Sequence, residues 1–585
     1  MGDVPVKRFF LSILFFWVLS VSAQFPANYS QWRFTDKFLI YHDNKLSFSD
    51  AANAEYGKAV KGLECKAVPS LAAAVDFNTV FGYAKPVSRR IAVAVNRIET
   101  FKTGRIQFGV GADWHIVVFV DGKKVFDTTE IGGNGPVPVK ATDHVIDIEL
   151  TKGVHTVAFW LSSGNTTWEV AAGKVPYTKV IYPAGELKYG PYVTDVSKDG
   201  AVISFVTAYP VPSGIAVRKC GEKAYRNYWS HSGYQIDPNK KLHRIDVDEL
   251  EPDTEYEYKI IFLERPDNRQ VNHEKTFRFK TAAAKFKPFK IFVTGDLQYL
   301  NEKQCEILDK YMSTQHAETS GFFVSLGDTR GAFNDFEKDI FDVALKAVLA
   351  KSGHEKNILL LRGNHEYRGN QTYLFKDYFA LKNGKTFGVY VYNDVAFIVL
   401  DSGNAAKRPR PNSRHYSAYD LPELLMKEQR EELKNAVQTA AYKNARYRVV
   451  LAHGSIYGAE NTLTPYFRKL LDGIIDEKDI TLWLGGHIHH YRRTVPGKAG
   501  FYGFEPAKNI EFCSLNGKYP YVTMIIDGPG SSKPHSGHTV EFLADGINVK
   551  SFFEDGKEFD SFRLDSKGKL INEKSGLDLK YFPAK

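Results

Sequence analysis

Lys290-Ile-Phe-Val-Thr-Gly-Asp296 and Gly321-Phe-Phe-Val-Ser-Leu-Gly-Asp328 decide how the chain is read. Each is a short apolar run, rich in β-branched and aromatic residues, that ends on Gly-Asp. Runs of this length and composition predict strands. Four more follow: Asn357-Ile-Leu-Leu-Leu, Ala396-Phe-Ile-Val-Leu, Tyr447-Arg-Val-Val-Leu and Thr481-Leu-Trp-Leu. The polar stretch Met426–Lys443 between them has helical spacing. Strands alternating with helices are the signature of an α/β domain. Three of the later runs also stop at residues able to bind metal. They lead into Gly363-Asn364-His365-Glu366, Ala452-His453-Gly454 and Gly486-His487-Ile488-His489. A strand holds its last residue firmly, glycine lets the backbone turn sharply beside it, and ligands of open α/β sheets bind at the carboxyl ends of the strands. A lone strand-end Asp or Asn often only caps a turn. Five such groups in order, each after an apolar run, point instead to one site. Its carboxylate, amide and imidazole donors suit Zn, Fe or Mn.

In order and type these five groups resemble the calcineurin-like metallophosphoesterases, which include the purple acid phosphatases. The resemblance implies a pair of metal ions. Asp328 would bridge them, Asp296 and His489 would complete one, and Asn364, His453 and His487 the other. Two such metals lower the pKa of a bound water and stabilise the attacking and leaving oxygens of an in-line displacement. His365 would face the substrate, giving a proton to the leaving oxygen or stabilising charge there, with Glu366 orienting it. Two positions depart from the family pattern. The His commonly found two residues after the first Asp is Gln298, a weaker neutral donor that is a seventh candidate ligand. The Tyr that binds ferric iron in purple acid phosphatases, three residues after the second Asp, is Gly331, and Tyr299 lies in the wrong group to replace it. The expected cofactors are therefore two metal ions, Fe, Zn or Mn, without a tyrosinate–iron bond. Arg330 and Arg368 follow metal-binding groups and offer the guanidinium fork that suits phosphate oxygens. Further candidates are Tyr491-Arg492-Arg493, the basic loop Lys407–Tyr416, and His490, His535 and His538.

The rest of the chain frames this site. A length of 585 residues exceeds one core and predicts roughly two to four domains. The formal charge of +9 is modest, and no basic run alternates with aromatics, so there is no nucleic-acid-binding signature. Residues 1–23 read as a signal peptide: Lys7 and Arg8, an apolar run Phe9–Leu19, then Val21-Ser22-Ala23 before Gln24. The run is too short to span a bilayer, so the expectation is a secreted or periplasmic protein with no membrane span in the mature chain. Residues 24–187, with strands such as His115-Ile-Val-Val-Phe-Val and turns such as Asp121-Gly122, predict a jelly-roll-like β-sandwich that is a candidate glycan binder. Residues 188–283 resemble a fibronectin type III domain through Leu250-Glu-Pro-Asp-Thr-Glu-Tyr-Glu-Tyr258, in which a corner Tyr ties a loop to the sheet. Such domains precede the catalytic domain in purple acid phosphatases. Residues 286–585 would be the calcineurin-like metallophosphoesterase domain, a β-sandwich flanked by helices, with C-terminal strands. Cys65, Cys220, Cys305 and Cys513 show no zinc spacing, and pairing of Cys305 with Cys513 stays open.

These readings converge on an exported binuclear-metal phosphoesterase, acid-phosphatase-like, that hydrolyses phosphate monoesters. A phosphodiesterase or nucleotide hydrolase would use the same ligands. An adhesion or carbohydrate-binding protein with an inactive hydrolase-like domain is the alternative of another class, and the intact ligand set argues against it.

Overall fold

The computed structural model describes residues 29–581 apart from 86–88, 130–137, 165–166, 177–184, 265–268, 299–304, 315–316, 353, 405–420, 459–462, 499, 505–518 and 529–535. Residues 1–23, Tyr299, the Lys407–Tyr416 loop, His535, Cys513 and the side chain of Cys305 therefore lie outside the described residues. The architecture is multidomain and mostly β, with few helices and no closed barrel among the described residues. No described helix is long and apolar enough to cross a membrane.

The chain divides into two compact units, the first running to Tyr182 with Glu264–Arg269 added, the second comprising the remainder. The first is a sandwich of a seven-stranded and a four-stranded sheet, both antiparallel. Alternate residues of its long strands, among them Ile106, Phe108, Val118, Val157 and Phe159, meet Trp32 and Trp168 in one core.

The second unit is built on a ten-stranded and an eight-stranded sheet. Strands Phe289–Thr294, Phe322–Ser325 and Asn357–Leu360 run parallel at the centre of the larger one. Parallel strands Val395–Leu400, Tyr447–Ala452, Leu482–Gly485 and Val522–Ile525 centre the smaller. Their unbroken apolar runs have a simple cause: both faces are covered. Ile291, Val293, Phe322 and Val324 point into the core shared with Phe397, Val449 and Leu484. Phe292, Phe323 and Ile358 point the other way, under helix Leu345–Ser352 and its neighbours. On the other outer face Ile398, Val450 and Trp483 pack with Leu433 and Phe467, from helices Pro422–Ala436 and Thr464–Leu471.

The larger sheet extends past Asn357–Leu360. Strand Leu187–Thr194 joins it in parallel, Val193 opposite Asn357, and brings strands Ala201–Thr207 and Leu242–Val247 with it. Asn357 reinforces the junction: its Oδ1 accepts from the Val196 N–H at 3.2 Å and its amide donates to Tyr390, whose hydroxyl donates to the Val196 carbonyl at 2.6 Å. A separate four-stranded sheet covers the other side of these added strands, around Phe205, Ile215, Tyr258 and Phe277. In the Leu250–Tyr258 turn, the Tyr256 hydroxyl accepts from the Glu251 N–H at 2.8 Å.

Candidate metal centre

The carboxyl ends of the two parallel sets come together, and six ligand candidates converge there. Asp328 belongs to two groups at once: one with His453 and His487, the other with Asp296 and His489, each able to place its donor atoms within 4.8 Å of one another. Asn364 joins the first, with Oδ1 3.1 Å from His453 Nε2 and 2.8 Å from His487 Nδ1. Gln298 joins the second, its amide nitrogen 2.6 Å from His489 Nε2.

The backbone is bent hard to do this. Asp296, Asp328, His487 and His489 all have positive φ, between 51° and 79°, a region that residues with a Cβ seldom occupy. Such outliers persist only where surrounding structure enforces them, and they gather at functional sites. Here cross-ties do so. The Asp296 N–H donates to the Gly327 carbonyl, the Leu297 N–H to the Asp328 carbonyl, and the Gly486 N–H to the His453 carbonyl, at 2.8–3.0 Å. Glycine is required where the loops touch. A Cβ on Gly363 would lie 2.4 Å from Asp328 Oδ1, and one on Gly486 would lie 2.8 Å from Asp296 Oδ2.

Electrostatics match the donor types. His487 and His489 are held neutral, their pKa values lowered to about 3 and about 4, chiefly by burial and also by the charge of His453. A neutral imidazole is the form that binds metal. Burial alone would do the same to His453, but the Asp328 carboxylate beside it raises its pKa to about 9. Burial pushes Asp296 up, with the like charge of Asp328 adding to it. Asp328 resists its own burial and stays below the usual carboxylate range through His453.

These residues fit a metal pair. His453 Nδ1 donates to the Leu326 carbonyl at 3.0 Å, which leaves Nε2 as the donor atom facing Asp328 Oδ2 at 3.0 Å and Asn364 Oδ1. Without a metal that Nε2 carries a proton shared with Asp328, consistent with the raised pKa; a metal ion would take the place of that proton, as metal binding to imidazole does. Gln298 Oε1 is buried with no hydrogen-bond partner among the described residues, while its amide nitrogen is the atom that faces His489.

His365 lies at the rim. Its Nδ1 donates to the Gly331 carbonyl at 2.9 Å, Arg368 donates to its Nε2 at 2.5 Å, and Nε2 is 3.7 Å from Asp328 Oδ2. Its pKa is lowered, first by burial. Arg330 is bound through Nε to Asp339 at 3.3 Å and lines a groove of about 460 Å³ beside Gln298.

Glu366 has a different place from the one expected. Its fully buried carboxylate accepts from the Asp328, Thr329 and Gly363 N–H groups at 2.7–2.9 Å and from the Thr329 hydroxyl at 2.5 Å. With both oxygens so engaged, it clamps the Asp328 and Gly363 turns together instead of orienting His365. Arg492 and Arg493 also differ. Arg493 is buried in a double bond to Asp560 and a third to Glu573, and Arg492 donates to the Gly458 carbonyl. His538 is buried between Ser536 and Ser551, outside the ligand groups. His490 follows His489, half-buried.

Sequence reading missed Asp527, which is buried and whose pKa is pushed up by that burial, with the Asp296 charge adding. It ends the Val522–Ile525 strand run as Asp-Gly, the reverse of the Gly-Asp order at Asp296 and Asp328, and the next residue presses on the Asp296 turn: a Cβ on Gly528 would overlap the Gly295 carbonyl. The carbonyls of Leu326 and Gly331, which set the two histidine tautomers, carry no side-chain signal.

Residues 289–491 match the family model described as calcineurin-like phosphoesterase. No curated protein matches the chain significantly. Among solved structures the chain is similar to purple acid phosphatase PPD1 from yellow lupin (Lupinus luteus) seeds, at 13% identity and a TM-score of 0.47, covering 81% of this chain and 93% of that one. It is similar to PhoD at 11% identity and a TM-score of 0.43, over 66% and 92%. A dimetal phosphatase from Danio rerio shows 13% identity and a TM-score of 0.33, over 46% and 98%.

Proposed function

We propose, for a chain whose residues 289–491 belong to the calcineurin-like phosphoesterase family, that the centre holds two metal ions, Fe, Zn or Mn, and hydrolyses phosphate monoesters outside the cytoplasm. The observation that carries this reading is the place of Asp328 in both ligand groups. A carboxylate has two oxygens and can serve both positions. Asp296, His489 and Gln298 would hold one ion, and Asn364, His453 and His487 the other. When bound, two metals supply an acidified water and positive charge for the phosphoryl oxygens.

The chain's own residues then bind and orient. Arg368 donates to His365 Nε2 and adds to the burial that lowers the His365 pKa, and the pair would face the substrate as a cationic donor for phosphoryl oxygens. Glu366 holds the turns that carry Asp328 and Asn364 in register. The groove lined by Arg330, Asn334 and Gln298 would take the leaving group. Export rests on the pattern in residues 1–23. The test is hydrolysis of an aryl phosphate monoester and the matching diester by purified protein given Mn or Zn. Monoester turnover that vanishes in Asp328→Ala and His453→Ala is expected. Full activity in either variant would sink the two-metal reading, and preference for the diester would sink the monoester assignment.

A further inference from the structure

A groove of about 840 Å³ lies in the second unit, between strand Leu242–Val247 and the Leu374–Gly384 segment. The strand alternates, as its period of two requires. His243, Ile245 and Val247 are buried, whereas Leu242, Arg244 and Asp246 line the groove. Trp229 adds an aromatic wall, while the ring of its strand neighbour Tyr228 packs on the sandwich core under Arg226, and the half-buried Trp229 has no hydrogen-bond partner for its indole N–H among the described residues.

Four cations share this groove: Lys240, Lys241, Arg244 and Lys376. None makes a direct salt bridge among the described residues, although Arg244 lies within electrostatic reach of the buried Asp195, whereas the neighbouring Lys382 is paired with Asp248. Arg244 is instead held by the Ala380 and Leu381 carbonyls at 2.6 and 3.1 Å, and Lys240 by the His231 carbonyl at 3.3 Å. Carbonyls fix the direction of a charge without cancelling it. Asp246 and Asp377 are the acids in the lining, so positive charge prevails. His231, also in the lining, opens a small hairpin whose turn holds Gly233 and Tyr234 at positive φ, 52° and 69°. Tyr234 is 98% exposed. A bulky residue in a left-handed turn is a backbone outlier, and this one presents its ring wholly to solvent.

A bare inorganic anion has no use for an aromatic wall, and an apolar ligand has none for an excess of cations. Both suit a sugar ring that carries a negative group. Its C–H face packs on an aromatic ring, its charge meets the lysines, and its hydroxyls meet Asp246, Asp377 and the Trp229 N–H. We infer that this groove binds an acidic saccharide chain bearing carboxylate or sulfate groups. The groove shares no residue with the metal centre, so the inference stands apart from the catalytic reading.

The test is calorimetric titration of the full chain with oligogalacturonate, dextran sulfate, neutral dextran and single-stranded DNA. Saturable binding of one or both acidic saccharides is expected, with none of neutral dextran. Lys241→Glu with Lys376→Glu should weaken it at least about tenfold with melting unchanged, and Trp229→Ala should do so separately, both with aryl phosphate turnover unchanged. Both lysines are exposed, so the double variant should fold. Absence of saturable binding, equal binding of neutral dextran, DNA binding as tightly as the saccharides, or variants that bind as the native chain does would each overturn it.

Discussion

Glu366→Gln separates a clamp from an orienting residue. In the native chain one oxygen takes the Thr329 N–H and hydroxyl and the other takes the Asp328 and Gly363 N–H groups. A glutamine has one oxygen, so two of these donors must face an NH2 group. Each hydrogen bond to a buried charge contributes roughly 1.5–3 kcal/mol, and two lost bonds cost roughly 3–6 kcal/mol. Relief from burying a charge, which already pushes the Glu366 pKa upward, returns part of that and leaves a net loss of about 2–4 kcal/mol. The loss falls on the turns that carry Asp328 and Asn364, so metal affinity should drop by about 10–100-fold. Calorimetric titration of Mn into metal-free protein measures the affinity, and urea unfolding measures the stability. If Glu366 oriented His365, the substitution would shift a limb of the pH–rate profile and leave metal affinity intact. That pair of results would refute the clamp.

Asp328→Asn should remove both metal-binding steps in the same titration, whereas Asp296→Asn should weaken one step and spare the other. Gly363→Ala drives a Cβ to 2.4 Å from Asp328 Oδ1, so metal binding should fail while far-ultraviolet circular dichroism stays native. The buried His243, stacked on Phe205, has its pKa lowered to about 3 by burial, so the folded chain favours the neutral ring. The stability this contributes is complete above pH 6.5 and is lost as pH falls toward 3, reaching about 2 kcal/mol at pH 5. Urea unfolding of His243→Phe against the native chain at pH 7.5 and pH 5 should show that difference.

Much of the second unit was legible because local pattern and tertiary role agree. Strands covered on both faces read as continuous apolar runs, and ligands at their ends read as Gly-Asp, Gly-Asn and Ala-His. Less was legible wherever a residue acts through the backbone of a distant segment. Glu366 sits next to His365 in sequence, which suggested a partnership, yet its bonds go to residues on another turn. Arg493 follows the candidate metal ligands closely but is consumed by Asp560 and Glu573 from strands that arrive 67 and 80 residues later. Gln298, flagged as a departure, is indeed beside His489, because its position was fixed by the strand before it. Asp527 was passed over because its order is Asp-Gly, the reverse of the Gly-Asp at Asp296 and Asp328, and a single Asp-Gly after an apolar run is an ordinary turn.

The parallel meeting of Val193 and Asn357 matters for how this protein can be cut. A fragment beginning at the linker before Phe289 would keep every candidate metal ligand but uncover the edge of the Asn357–Leu360 strand where Val193 meets Asn357. Open strand edges recruit other chains. Such a fragment should precipitate on purification, while one beginning near Leu187 should stay in solution. The join also closes a loop of more than 160 residues, which makes completion of that sheet a late and slow event in folding. The segment that looks like a preceding module is thus the guard rail of the catalytic sheet.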